Sequence, residues 1–149
     1  MSEISLKDIE ALISSGKLSE SDLRALEAQL TKLEKLKNRE LCQTRFLKFV
    51  QKMWPSFVSG KHHKIMADAF ERVARGELKR LIINMPPRHT KSEFASYLLP
   101  SWFLGRFPDK KIIQTSHTAE LAVGFGRKVR NLVDSDRYKD IFPQVALQA

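Results

Sequence analysis

The stretch that most restricts the fold is "LIINMPPRHTKSEFASYLL", residues 81–99. Leu81, Ile82 and Ile83 form a short, continuous, β-rich apolar run. A polar turn follows, stiffened by Pro86 and Pro87, and the apolar spacing then becomes helical. The run "LKRLIIN" therefore predicts a strand, with a helix from about Thr90 to Leu104 behind it. The pattern recurs downstream. "RFPDKK" is a turn, "IIQTS" reads as a second strand, and "TAELAVGFGRKVRNLVDS" as a helix with Leu121, Phe125, Val129, Leu132 and Val133 on one face. Strand, helix, strand, helix predicts an α/β fold around a parallel sheet. Two strands do not make a stable parallel sheet, which is buried on both faces and needs more members. The expectation is that these residues are the front part of a larger protein.

The residues upstream predict helices only. In 1–40, "SLKD" has the form of a capping box, Ser5 with Asp8 three residues on, ahead of a short helix ending near Gly16. Leu23, Leu26, Leu30, Leu33 and Leu36 then recur every three or four residues, the face of a second helix. Such a stripe is a packing face within the chain or a docking face for a partner. Phe46, Phe49, Val50, Met53 and Trp54 mark a helix over 41–54 that Pro55 ends. Ile65, Met66, Ala69, Phe70 and Val73 mark another over 62–75, and Gly76 suits its left-handed cap. The chain thus reads as a helical segment, 1–40, followed by an α/β domain, 41–149.

Charge separates the same two parts. The net charge is +9, but residues 1–40 hold seven Lys/Arg against eight Asp/Glu, whereas 41–149 hold nineteen against nine. The basic part, which carries the turn at 85–92, favours polyanions such as nucleotides or nucleic acid; an ordinary basic surface is the plain alternative. The sole cysteine, Cys42, allows no intrachain disulfide or cysteine-based zinc site and fits a reducing compartment. "YLLPSWFLG" is the best apolar stretch and is too short to span a bilayer, and the acidic start "MSEISLKDIE" is unlike a signal peptide.

The turn "MPPRHTKS" sits where a strand runs into a helix. A phosphate loop there is ordinarily G-x-x-x-x-G-K-[ST], with backbone amides around the phosphates, the lysine on the outer ones and the hydroxyl on Mg²⁺. Aligned on Lys91-Ser92, the two glycine positions are held by Met85 and Thr90. Three features still point to an anion site. The carboxyl end of a strand is where open α/β sheets bind ligands. A helix N-terminus carries about half a positive charge. Arg88 and Lys91 add two full charges. A β-branched residue is costly at φ > 0, so Thr90 is expected to keep an ordinary φ, with a wrap different from the glycine form.

From "LKRLIINMPPRHTKSEFASYLLPSWFLGRFPDKKIIQTSHTAELAVGFGRKVRNLVDS" the chain resembles the ATPase region of the large terminase subunit of tailed bacteriophages, the motor that packages DNA into an empty capsid and cuts it. The likeness covers about residues 41–143 and is densest over 80–134. The loop is similar to that family's deviant Walker A, P-P-R-H-G-K-S, with Thr90 in place of the glycine. The resemblance implies an incomplete P-loop NTPase of the ASCE type, a parallel sheet with flanking helices. It implies ATP and Mg²⁺ as ligands of Pro87, Arg88, His89, Thr90, Lys91 and Ser92. Lys91 would contact the β- and γ-phosphates, Ser92 would ligate Mg²⁺, and Arg88 would neutralise charge at the transferring phosphate, in keeping with a permanently charged, forked guanidinium. His89 and Thr90 would offer mainly backbone amides, and Glu93 would complement the helix dipole.

"WPSFVSGKHHKIM" matches the stretch near the adenine in such ATPases, making Trp54, Phe57 and His63 candidates to stack on it, against a plain core role. His62 and His63 could suggest a metal, but neighbours on a helix point about 100° apart. Arg127 and Arg130 would face DNA, a neighbouring subunit or solvent. Double-stranded DNA, a terminase small subunit, a portal protein and further copies in a ring are the implied partners, without a membrane, in the cytoplasm of an infected bacterial host. The family's second motif, an apolar strand ending in Asp-Glu, is missing. The acids after Glu93 are Asp109, Glu120, Asp134, Asp136 and Asp140, none on an apolar strand. The carboxylate-rich nuclease is missing too, so efficient hydrolysis by this chain is not expected. The alternatives are another P-loop NTPase of helicase type, or a non-enzymatic basic module binding DNA or a partner.

Overall fold

A computed structural model of the chain describes residues 20–147. The capping box at Ser5 and the helix expected to stop near Gly16 lie outside the described residues. The described elements are α1 (Glu20–Thr44), α2 (Phe46–Met53), α3 (Lys61–Ala74), a π-helical segment (Glu93–Leu98), α4 (Leu99–Arg106), α5 (Ala119–Val133) and α6 (Asp136–Ile141). The chain divides into two compact units at Asn38–Arg39. In the first unit α1 carries the leucine stripe, with Leu23, Leu26 and Leu30 half-buried and Leu33 and Leu36 exposed. No described helix is long and apolar enough to cross a membrane.

The second unit is built on aromatic packing. Phe46 is fully buried, and its ring meets Phe70, Phe94 and Trp102 edge-on at centroid distances of 5.4, 5.6 and 5.5 Å. Phe49 meets Tyr138 edge-on at 6.1 Å and Phe142 at a tilt at 6.0 Å. Edge-to-face rings of this kind stabilise by about 0.5–1.5 kcal/mol each beyond the area they bury. Helix α2 stops at Met53, two residues before Pro55, and Gly76 takes φ 77° after α3, both as the sequence requires. Helix α6, which no spacing argument assigned, follows Ser135 and buries Tyr138 and Ile141, with Phe142 just beyond.

The expected parallel sheet of an α/β P-loop fold is not formed: the architecture is helical, with no strand among the described residues. The two β-rich runs are present but unpaired, and Ile82 and Ile113 are 86% and 89% exposed. Parallel pairing brings together segments distant in sequence and stabilises only when both faces are covered. Here the helices form the core, Ile83 packs against it from one side, and the two runs have no ladder partner among the described residues.

The helix expected over Thr90–Leu104 runs from Lys91 to Arg106 with π geometry in its middle. Pro100 explains part of this. It has no N–H to give to the carbonyl of Ser96 four residues back. That carbonyl instead accepts from Gln114 Nε2 at 2.6 Å, which ties the second apolar run to the helix. The wider turn leaves Phe94, Leu98 and Trp102 all buried on one side.

Candidate functional site

The loop residues fall together in space. Residues Met85–Glu93 line a concavity of about 490 Å³, open at the amino end of the helix that begins at Lys91. The first intrahelical bond there runs from Phe94 N–H to the Thr90 carbonyl, 2.9 Å, so the amides of Lys91, Ser92 and Glu93 precede it and have no partner within the helix. Arg88 and Lys91 make no hydrogen bond or ion pair among the described residues. Lys91 is half-buried, while Arg88 and Ser92 are exposed.

The backbone corrects the expectation for Thr90. Its φ is 57°, and that of Arg88 is 65°; they are the two non-glycine residues with positive φ among those described. His89 between them keeps a negative φ. Alternation of hand turns successive N–H groups toward one side and makes a concave anion-binding nest. The loop thus takes the left-handed conformation at the position where glycine was missing. Holding a residue there costs roughly 1–3 kcal/mol.

Thr90 is secured on two sides. Its hydroxyl donates to the His89 carbonyl at 2.7 Å and lies 2.7 Å from His63 Nε2. The tautomer of His63 follows from its other nitrogen, since the Gly60 amide donates to His63 Nδ1 at 2.9 Å. Nδ1 is then an acceptor, and Nε2 carries the proton and donates it to Thr90. Two net hydrogen bonds of about 0.5–1.5 kcal/mol each are of the same size as the backbone cost. His63 is 6% exposed and wedged between Phe57 and Phe94, with ring centroids 4.7 and 5.0 Å away. Burial lowers its pKa from the ordinary 6.5, and the charges of His62 and His89 lower it further, so the neutral form is favoured. His89 Nδ1–H donates to the Pro87 carbonyl at 2.9 Å, which folds the loop tip back on itself.

The other candidates are placed as follows. Trp54 and Phe57 stack on each other at 5.5 Å, Trp54 Nε1 donates to Ser56 Oγ at 2.9 Å, and Phe57 leans on Phe94. Of the three proposed adenine contacts, His63 alone reaches the loop, and it does so through Thr90. The rings of His62 and His63 converge, with their Nε2 atoms 3.0 Å apart, rather than diverging as helical neighbours were expected to. No group of three or more His, Cys, Asp or Glu placed to hold a metal occurs among the described residues. Glu93 pairs with Lys128 of α5 at 3.1 Å. Arg127 and Arg130 lie exposed on α5. A second cleft, of about 630 Å³, shares Ser92 with the loop and continues along Ser96, Phe103, Gln114 and Phe125. Sequence reasoning missed the His63–Thr90 contact because it joins residues far apart in sequence; the adjacent histidines ahead of the loop were its one visible trace.

No family model, characterised protein or solved structure matches the chain.

Proposed function

We propose that the loop 85–92 binds the polyphosphate of a nucleoside triphosphate, ATP by resemblance, together with Mg²⁺. The observation that carries this reading is the left-handed backbone at Arg88 and Thr90 around His89, in a concavity whose two cations have no partner among the described residues. Lys91 and Arg88 supply charge-assisted bonds to phosphate oxygens, and Arg88 can do so with two parallel N–H groups. The amides of His89 to Ser92 supply the cradle. Mg²⁺ arrives on the phosphates and gains the exposed Ser92 hydroxyl as a ligand.

The terminase resemblance extends this to a role as the nucleotide-binding part of a DNA-packaging motor. It would work with double-stranded DNA, a small subunit, a portal protein and further copies in a ring, in the cytoplasm of an infected host. The exposed pair Arg127 and Arg130 also suits a basic module that binds DNA without nucleotide chemistry. Titration with a fluorescent ATP analogue and Mg²⁺ separates the readings. Nucleotide binding that drops at least about tenfold in Lys91→Ala supports the first. DNA binding with equal or absent nucleotide binding in both proteins supports the second.

A further inference from the structure

We propose that His63 is a positioning residue for the phosphate loop: it holds Thr90 in the left-handed conformation that glycine would adopt unaided. The inference rests on the phosphate-loop reading for its consequence in binding, although the clamp itself is a property of the unliganded protein.

The hydrogen bonds run in one direction. Gly60 N–H donates to His63 Nδ1 at 2.9 Å, which fixes the tautomer. His63 Nε2–H is 2.7 Å from Thr90 Oγ1, and the Thr90 hydroxyl donates to the His89 carbonyl at 2.7 Å. Every donor in the relay has an acceptor, and the hydroxyl proton is directed into the loop; His62 Nε2, 3.0 Å from His63 Nε2, is a second and longer neighbour of the same nitrogen. His63 does not move to adapt, because it lies at the third position of α3, is buried, and is packed between the rings of Phe57 and Phe94. A rigid donor aimed at the one side-chain oxygen of a residue at φ 57° restricts that residue to the observed rotamer and backbone. Arg88, at φ 65°, has no such contact among the described residues, so the device is specific to position 90. A β-branched residue thus stands in for glycine because a histidine from a separate helix supports it. His63 acts on phosphate through the loop and touches no ligand itself.

A double-mutant cycle on the full chain tests this. The variants are His63→Ala, Thr90→Gly and the pair, with the Kd for ATP·Mg²⁺ as readout and far-ultraviolet circular dichroism as the check on folding. His63→Ala is expected to weaken binding about tenfold in the Thr90 protein and by less than about twofold in the Thr90→Gly protein, since glycine needs no support. An equal loss in both backgrounds, or a loss in neither, overturns the proposal. If His63→Ala fails to fold, Thr90→Val removes the hydroxyl while leaving the histidine packing in place. It is expected to weaken binding as His63→Ala would, and unchanged binding overturns the proposal. If the unaltered protein binds no ATP, the functional reading fails by itself, and the clamp is then judged by the three-bond amide coupling of residue 90 in nuclear magnetic resonance. Thr90 should leave positive φ in His63→Gln or His63→Ala, with His63→Gln the milder because it keeps a donor; positive φ retained in both overturns the clamp.

Discussion

Glu71 of α3 caps a helix to which it does not belong: its buried carboxylate accepts the Phe46 amide at 2.9 Å, at the start of α2. Arg45 and Arg75 approach the other oxygen from the solvent side at 3.5 and 3.9 Å. Arg45 carries the preceding position with no side chain able to cap, so the glutamate does what Ser or Asp does elsewhere. Glu71→Ala should lower stability by about 1.5–3 kcal/mol, the range for a hydrogen bond to a charged group. Glu71→Gln, which keeps an acceptor, should lose less. Urea denaturation followed by circular dichroism gives both values.

Gly105 is required by its neighbour. A Cβ at that position would lie 2.5 Å from Phe142 Cδ2, and the Phe142 ring is fully buried and cannot step aside. Gly105→Ala should destabilise by about 1–3 kcal/mol, the usual cost of overpacking. Adding Phe142→Leu to Gly105→Ala should cost less than the two single changes taken together, a coupling measurable by a thermal double-mutant cycle.

The two left-handed residues differ in what a glycine would do. Thr90→Gly removes a backbone cost and also two hydrogen bonds, so its net effect on stability should lie within about 1 kcal/mol of zero. Arg88 makes no side-chain bond among the described residues. Arg88→Gly should stabilise by about 1 kcal/mol while weakening ATP binding through the lost guanidinium. Paired measurements of Tm and Kd on the same sample check both directions. A stabilised variant with unchanged ATP affinity would remove Arg88 from the site.

Acid should loosen the loop before it unfolds the chain. The folded-state pKa of His63 lies below its ordinary 6.5, so the unfolded chain binds more protons between the two values. The corresponding stability is fully present above about pH 6.5 and is lost as the pH falls through the folded value. Burial is the larger cause of that lowering, and the neighbouring rings of His62 and His89 add to it. Urea midpoints measured from pH 7.5 downward should decline below about pH 6.5, and His63→Gln should flatten that decline.

At the alkaline end, Tyr138 should remain silent. Burial pushes its phenol well above the ordinary tyrosine range, and its hydroxyl donates to the Ser101 carbonyl at 2.8 Å. The folded state therefore holds this proton when the unfolded chain has released it, and stability from this group falls as pH rises past about 10. Ultraviolet titration should show Tyr138 ionising only on unfolding. Tyr138→Phe should cost about 1 kcal/mol at neutral pH.

The sequence was most informative where one residue type leaves few choices. Pro55 and Gly76 marked helix ends, and the spacing of Phe46, Phe49 and Val50 marked a buried face. Lys91 and Ser92 stood at a helix start, as the loop pattern required. Pairing was not legible. The runs at 81–83 and 112–113 have the composition of strands, but a strand depends on a neighbour that composition does not supply. The φ of Thr90 is not legible for a related reason: intrinsic preference argues against the left-handed region, and a contact from His63, twenty-seven positions away, outweighs it.

The bare apolar runs also bear on how the protein behaves at high concentration. "LIIN" and "IIQT" are short, β-branched and uncharged, and with Ile82 and Ile113 open to solvent they are templates for pairing between molecules. Each is preceded by two exposed cations, Lys79-Arg80 and Lys110-Lys111, which repel the like-charged ends of a second copy laid alongside. That protection is electrostatic and reaches only about 8–10 Å at physiological salt. Colloidal stability should therefore fall steeply as salt is added, and the four cations guard against aggregation at the same two places where the chain left its strands unformed.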